Sequence, residues 1–220
     1  DVVREYGADA LRLFEMFMGP LEATKPWSTD GVNGVRGFLD RVWRMLINDR
    51  AEAVELNAAV QAVVPTAEQN RVLHRTIREV TQDIERMSFN TAIAKMMEFT
   101  NFFFKADPRP RLAMEKFVLI LSPFAPHLSE ELWQALGHRD TLAYEPWPTY
   151  DESFIKEDTV EVPVQVNGKV RGRVSVPAGA DEAAHEAAAR TDAKVAQQLD
   201  GKTIVKKIIV PGRMINFVVK

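Results

Sequence analysis

The sequence predicts a mainly helical chain that ends in a small α+β domain, and three observations support this. In the first two-thirds, apolar residues recur at intervals of three and four, the period of an amphipathic helix. From Val160 onward they alternate with polar residues, the period of a strand. Residues 144–150 lie between the two regions and form a proline-rich, aromatic segment that is typical of a domain boundary. We therefore place a helical domain at 1–150, a linker at 151–158 and a small domain at 159–220.

Six amphipathic helices are predicted in the first domain, and several begin with capping signals. Residues 66–69 form a capping-box pattern ahead of apolar residues that step by four and three. Asp30 is the predicted N-cap of a helix whose wide apolar stripe includes Val35 and Trp43. Residues 112–121 are apolar on nearly all sides, so this helix is expected at the centre. Because such helices bury their apolar faces against each other, we predict an antiparallel helical bundle.

The small domain is predicted to have the order ββαββ. Alternation of apolar and polar residues predicts strands at 160–166 and 170–176, and two further strands are predicted at 204–210 and 214–219. Asn167 and Gly168 separate the first two strands, and this pair is the strongest short-range signal for a β-hairpin. Asp181 opens an alanine-rich helical stretch that continues to about Leu199, with residues 191–192 as a candidate break.

Composition excludes several kinds of functional site. The chain has no Cys, which rules out disulfides and thiolate metal ligands and fits a cytoplasmic protein. Its four His lack the spacing of metal ligands, and no glycine-rich phosphate loop joins a strand to a helix. The longest apolar stretch, 117–125, is broken by Ser122 and Pro123 and is too short to cross a membrane. We predict no catalytic residue, no metal and no cofactor in this chain, and no membrane partner.

Positive charge is concentrated near the end of the chain. From Lys156 on there are 11 Lys and Arg against 8 Asp and Glu, although the whole chain carries −3. If Val170 faces inward, then Lys169, Arg171 and Arg173 share the outward face, because side chains alternate along a strand. They would lie roughly 6 to 7 Å apart, close to the spacing of phosphates along a nucleic acid. Further candidate cations lie in or beside the last two strands: Lys202, Lys206, Lys207 and Arg213. The alternative is an edge strand that charge protects from aggregation.

Several segments of the sequence resemble the bacterial-type leucyl-tRNA synthetases. They are residues 6–12, 18–22, 24–28, 122–133, 164–172 and 210–219. The first three resemble the stretch directly after the KMSKS signature loop of these enzymes. Residues 122–133 resemble a helix start that leucyl, isoleucyl and valyl class I synthetases share, whereas 164–172 looks specifically leucyl. The resemblance spans nearly the whole chain, in the order expected for the family.

The resemblance implies a parent ligase that attaches leucine to tRNA-Leu with ATP and Mg²⁺ and edits mischarged tRNA in a separate domain. In the family, a helical bundle of the anticodon-binding type lies along the inner side of the tRNA L. The small terminal domain touches the outer corner and the long variable arm, so recognition is expected by shape and backbone. The seven candidate cations would then contact tRNA-Leu.

The motifs that carry catalysis in this family are missing from the sequence. A HIGH-type motif, the KMSKS loop and the threonine-rich editing motif are absent, so the catalytic and editing domains are expected in cis, outside this chain. By this resemblance, Asp1 lies just past the position of the signature loop, so we expect the sequence to be part of a longer protein. We expect this chain to be inactive alone and monomeric.

Two other interpretations remain open at this point. An isoleucyl- or valyl-type synthetase is disfavoured by the terminal ββαββ domain and by the lack of Cys-based zinc ligands. A free-standing helical protein-interaction module, binding through exposed aromatics such as Trp147, would be favoured by a native start codon directly upstream of Asp1.

Overall fold

The computed structural model describes residues 1–24, 26–155 and 159–220, and the chain forms two compact units. The first unit is Asp1–Ile155 and the second is Lys156–Lys220. Helices make up most of the regular structure, and the second unit contains a small sheet. The predicted class, a mainly helical chain with a small sheet-containing part, is confirmed.

The predicted linker at 151–158 overlaps the first unit. Residues 152–155 are helical and belong to that unit. Residues 156–158 lie outside the described residues, as does Lys25 within the segment 24–28 that resembles the synthetases.

The first unit contains eight α-helices and two short strands within its described residues. The helices are α1 (Val2–Tyr6), α2 (Ala8–Phe17), α3 (Thr29–Leu46), α4 (Ala67–Glu85), α5 (Phe89–Phe104), α6 (Arg111–Leu121), α7 (Pro126–Ala135) and α8 (Glu152–Ile155). The strands β1 (Val60–Gln61) and β2 (Arg109–Pro110) pair in parallel. In the described part of the chain, every helix is too short or too polar to cross a membrane.

One apolar core joins α2 through α7, and aromatic rings lie at its centre. Phe99 of α5 and Phe117 of α6 stack with ring centroids 4.4 Å apart and planes 3° apart. Phe103 packs against Phe99 at 4.3 Å, and all three rings are fully buried. Burying each such side chain stabilises the fold by about 1.5–3 kcal/mol. The helix predicted to be central, α6, therefore does lie in the core.

Two helix starts show which capping predictions hold. At α4, the N–H of Gln69 donates to Thr66 Oγ1 at 3.2 Å, and the N–H of Thr66 donates to Gln69 Oε1 at 2.9 Å. This capping box was predicted. The prediction that Asp30 caps α3 is wrong, because Ser28 Oγ accepts from the N–H of Gly31 at 3.1 Å. Asp30 lies inside the first turn, where a carboxylate instead interacts with the positive end of the helix dipole.

A buried arginine fastens the C-terminal ends of α3 and α5. The side chain of Arg109 donates to the carbonyls of Met45 at 2.6 Å, Phe103 at 2.8 Å and Phe104 at 2.7 Å. The last carbonyls of a helix have no partner within the helix and carry its negative partial charge. Burial is the main cause that lowers the pKa of Arg109, and nearby Asp107 opposes that shift. One cation therefore satisfies the ends of two helices at once.

Replacing Arg109 should destabilise the first unit strongly. Arg109→Met keeps an apolar stem but leaves three carbonyls without a donor, and each unpaired buried acceptor costs about 1–3 kcal/mol. We expect a loss of about 3 kcal/mol or more in urea unfolding followed by Trp fluorescence, which reports this unit because all four Trp lie in it. The exposed Arg4→Met should change stability by less than about 0.5 kcal/mol. A loss below about 1 kcal/mol for Arg109→Met would contradict the fastening role.

The second unit is a four-stranded sheet with two helices packed on one face. The strands are β3 (Thr159–Val166), β4 (Lys169–Pro177), β5 (Ile204–Val210) and β6 (Met214–Val219), and the helices are α9 (Glu182–Thr191) and α10 (Ala193–Leu199). The sheet order is β4-β3-β6-β5, with β3 and β6 parallel. Two helices stand where the predicted order ββαββ has one. The division falls at Asp192, whose carboxylate caps α10 by accepting from the N–H of Val195 at 2.9 Å.

The turn between β3 and β4 is fixed both locally and by β6. Asn167 and Gly168 have φ values of 50° and 78°, as a tight two-residue hairpin requires. The Asn167 side chain also exchanges two hydrogen bonds with the backbone of Val219, at 2.9 and 3.2 Å. The hairpin turn is thereby held beside the end of β6.

Candidate nucleic-acid interface

A β-bulge lies in the middle of the basic hairpin. Val164 pairs with Gly172, whereas the next residue, Gln165, pairs with Val170. Arg171 is therefore an extra residue without a partner on β3. A bulge of this kind shifts the alternation of side chains by one position. Accordingly Val170, which was predicted to face inward, is 55% exposed.

Because of the bulge, Lys169 and Arg173 lie on opposite faces of the sheet. Residues that pair across two strands lie on the same face of a sheet. Lys169 pairs with Val166, which belongs to the apolar core under the helices, whereas Arg173 pairs with Pro163 on the open face. The prediction that Lys169, Arg171 and Arg173 form one outward row is wrong, because it assumed an alternation that the bulge interrupts.

Two of the seven candidate cations are engaged in ion pairs. Arg173 Nη1 lies 3.1 Å from Glu161 Oε2. Lys207 Nζ lies 2.7 Å from Glu186 Oε2 on α9, because Lys207 is on the helix-covered side of the sheet. The hydrogen bond from Lys207 is the largest cause that holds the pKa of Glu186 below its ordinary value. Both cations are partly neutralised within the unit.

Other cations gather at one end of the sheet, which we call the basic end. Strands β3 and β6 finish there, and β4 and β5 begin there. The basic end consists of five exposed side chains, Lys169, Arg171, Lys202, Lys206 and Lys220. Among the described residues of the second unit, the ion pairs join carboxylates to Arg173, Arg190 and Lys207. None of these pairs involves the five cations of the basic end. The remaining candidate, Arg213, lies in the β5–β6 turn at the opposite end of the sheet.

Lys220 was not among the predicted site residues. The backbones of Lys220 and Thr203 exchange two hydrogen bonds, at 3.0 and 3.1 Å, which place the last cation beside the start of β5. Its sequence signal is only a cation after the last predicted strand. The parallel pairing of β3 with β6, which brings that strand to the hairpin turn, is not visible in the sequence pattern.

Each of the four His has a structural partner. The partners are the N–H of Asp151 for His74, the carboxylate of Asp9 for His127, the carboxylate of Glu115 for His138 and the N–H of Gly212 for His185. No group of three or more His, Asp or Glu within the described residues could hold a metal ion. The His therefore contribute to packing and capping rather than to a cluster of reactive groups.

Comparison with known families supports the interpretation of the fold. A family model described as the anticodon-binding domain of tRNA ligase matches residues 69–186. The chain belongs to this family. The matched residues begin in α4 and extend into α9, so they include parts of both units.

Individual relatives are leucine–tRNA ligases. The leucine–tRNA ligase of Rhodopirellula baltica is 54% identical over 219 residues, and leucine–tRNA ligase 1 of Rhizobium johnstonii is 50% identical over 220 residues. Both matches cover 100% of this chain but only 23% and 26% of those proteins. The chain thus spans about a quarter of the length of the curated relatives it matches.

A solved structure shows the same similarity. The crystal structure of an Agrobacterium radiobacter LeuRS–tRNA–LeuAMS ternary complex matches with a TM-score of 0.74 and 33% identity. The match covers 100% of this chain and 29% of that one. The predicted kinship with leucyl-tRNA synthetases is confirmed, and these relatives disfavour the isoleucyl or valyl alternative.

The bulged register can be tested with one substitution at two positions of β4. Val170→Asp places a carboxylate at an exposed position and should cost less than about 1 kcal/mol, whereas Val174→Asp buries an unpaired charge and should unfold the second unit. Amide hydrogen exchange of β3 and β6 measures both. Equal loss of protection in the two variants would show that Val170 faces inward and that the bulge is absent.

Proposed function

We propose that this chain is the tRNA-docking, C-terminal region of a leucine–tRNA ligase. The parent enzyme would attach leucine to tRNA-Leu with ATP and Mg²⁺ and edit mischarged tRNA, with both reactions in domains outside this chain. The first unit would be an antiparallel bundle of the anticodon-binding type that follows the tRNA backbone. The parent would act as a monomer in the cytoplasm. Identity of 54% and 50% to leucine–tRNA ligases over the whole chain supports the proposal.

The observation that carries the tRNA-binding role is the basic end of the second unit. Its five cations are exposed, and none of the ion pairs among the described residues of the unit involves them, so their charge is available to a polyanion. Four neighbouring strands span roughly 14 Å, a width that can meet several phosphates of one nucleic-acid strand. Displacement of counterions from those phosphates would favour binding.

The proposed contacts differ in strength among the predicted residues. Lys169, Arg171, Lys202 and Lys206, together with the added Lys220, would make the main phosphate contacts. Binding through Arg173 or Lys207 would first have to break an ion pair, so their contributions are expected to be smaller. Arg213 would reach tRNA only as a separate contact, because it lies at the other end of the sheet.

Lysine and arginine side chains in this arrangement favour recognition of shape and backbone over base edges. Each phosphate contact adds about 0.7–0.9 to the slope of log affinity against log salt. The cations of the basic end therefore predict a steep salt dependence and little sequence preference outside the shape of the tRNA.

Removing charge from the basic end should weaken tRNA binding more than removing the same charge elsewhere in the unit. Lys169→Gln/Lys206→Gln should lower the salt slope for tRNA-Leu by about 1.4–1.8. The control Arg173→Gln/Arg213→Gln removes two charges from the same unit and should lower the slope by less than half as much. Both are measured by binding titration at several salt concentrations. Equal effects of the two double variants would contradict a localised site.

A further inference from the structure

The last residues of the first unit lie along one side of α4. We call residues 147–155 the strap. Three residues of α4 contact it, His74, Arg78 and Thr81. Their spacing of four and three places them on one face of the helix. The strap follows this face toward the start of α4, because Trp147 contacts the last of the three and Asp151 the first.

Trp147 and Glu152 of the strap each contact α4 through a side chain. Trp147 Nε1 donates to Thr81 Oγ1 at 2.8 Å, and the hydroxyl of Thr81 donates in turn to the carbonyl of Ile77 at 2.7 Å. Arg78 Nη1 lies 3.1 Å from Glu152 Oε2. These contacts bind the strap at two positions of α4 that are three residues apart.

His74 holds the end of the strap by two contacts of different chemistry. Its Nδ1 accepts from the N–H of Asp151 at 3.0 Å. The ring of Phe154 stacks on the imidazole with centroids 4.7 Å apart and planes 19° apart. Asp151 Oδ1 accepts from the N–H of Ser153 at 2.8 Å, which starts the short helix α8 directly on this site.

The strap fixes the point at which the chain leaves the first unit. Only three residues of sequence separate its last residue, Ile155, from Thr159, the first residue of β3. We propose that His74, Arg78 and Thr81 are positioning residues for tRNA binding, because they hold the strap and so keep the connection to the basic end short. This inference rests on the proposed function, in which both units bind the same tRNA.

Chain length sets the size of the expected effect. If residues 149–155 left α4, the sequence between the last held residue and β3 would increase from three residues to ten. The effective concentration of a tethered binding module falls roughly as the −3/2 power of tether length, so release should weaken two-point tRNA binding roughly sixfold. Contacts made by the basic end alone should not change.

A matched pair of His74 variants tests the inference in the full chain. His74→Asn keeps an acceptor near the position of Nδ1, whereas His74→Leu keeps the bulk and loses the acceptor. We expect His74→Leu to speed amide exchange of residues 149–155 and to weaken binding of a tRNA-Leu transcript roughly sixfold, with His74→Asn closer to the parent sequence. The salt slope should be unchanged, because no phosphate contact is lost.

A short RNA duplex of about 12 base pairs, which offers only part of the backbone that a tRNA presents, is the second probe. A purely local role in stability predicts the same loss for the duplex and the tRNA, whereas positioning predicts a loss for tRNA only. The inference is overturned if His74→Leu releases the strap but leaves tRNA affinity unchanged, or if it leaves strap exchange unchanged. If charge removal at the basic end also has no effect on tRNA binding, the proposed function fails instead.

Acid should release the strap through the same residue. Nδ1 of His74 can accept a hydrogen bond only while it carries no proton. Burial, the largest cause, and Lys116 of α6 lower the pKa of His74, while Asp151 opposes them. Further charged groups on the elements packed here are Arg78 and Arg71, each about one turn from His74 on α4, and Glu152 on the strap.

The sign of the pH effect follows from this lowered pKa. The contribution of His74 to docking is complete above its ordinary pKa of 6.5 and is lost as pH falls through the lower value. Exchange of residues 149–155 should therefore speed up as pH falls below about 6.5, after correction for intrinsic exchange rates. His74→Asn should show no such acceleration. An equal acceleration in both proteins would assign the effect to another group.

Discussion

The guanidinium of Arg109 is the interaction on which the arrangement of the first unit depends. It joins the carbonyl ends of α3 and α5, which would otherwise meet as two negative helix ends in the core. Because α5 is held there, Phe99 can stack on Phe117 of α6. Helix α4 packs against both α5 and α6 and carries the strap on its outer side. A buried cation thus holds the ends of α3 and α5 together, and α5 packs against the helix that carries the strap.

The second unit depends on a different constraint, the parallel pairing of β3 with β6. The side chain of Asn167 ties the hairpin turn to Val219, so that the starts of β4 and β5 lie at the same end of the sheet. Cations that are far apart in the sequence, such as Lys169 and Lys220, therefore share one end. On the helix-covered side, Glu186 forms an ion pair with Lys207. Lys207 therefore has a structural role, in contrast to the five cations of the basic end.

Local signals in the sequence predicted most elements, since capping boxes, Asn-Gly turns and helical or strand periods act over a few residues. Four features could not be read in this way. The bulge at Arg171 depends on register with a neighbouring strand, and the burial of Arg109 depends on two helix ends meeting in space. Lys220 joins the basic end only through a parallel pairing. Ser28 rather than Asp30 caps α3. Both residue types are good N-caps and the two are close in sequence, so only the path of the backbone determines which one caps the helix.

The central claim, that these two units dock tRNA-Leu by its shape and backbone, is tested most directly by a salt-dependent binding titration of this chain. The two ligands are tRNA-Leu and a tRNA-Leu from which the long variable arm has been deleted. The account predicts tighter binding of the intact tRNA and a steep decrease of affinity with salt for it. Equal and feeble binding of both, with a shallow salt slope, would contradict the claim and place recognition in other parts of the parent enzyme.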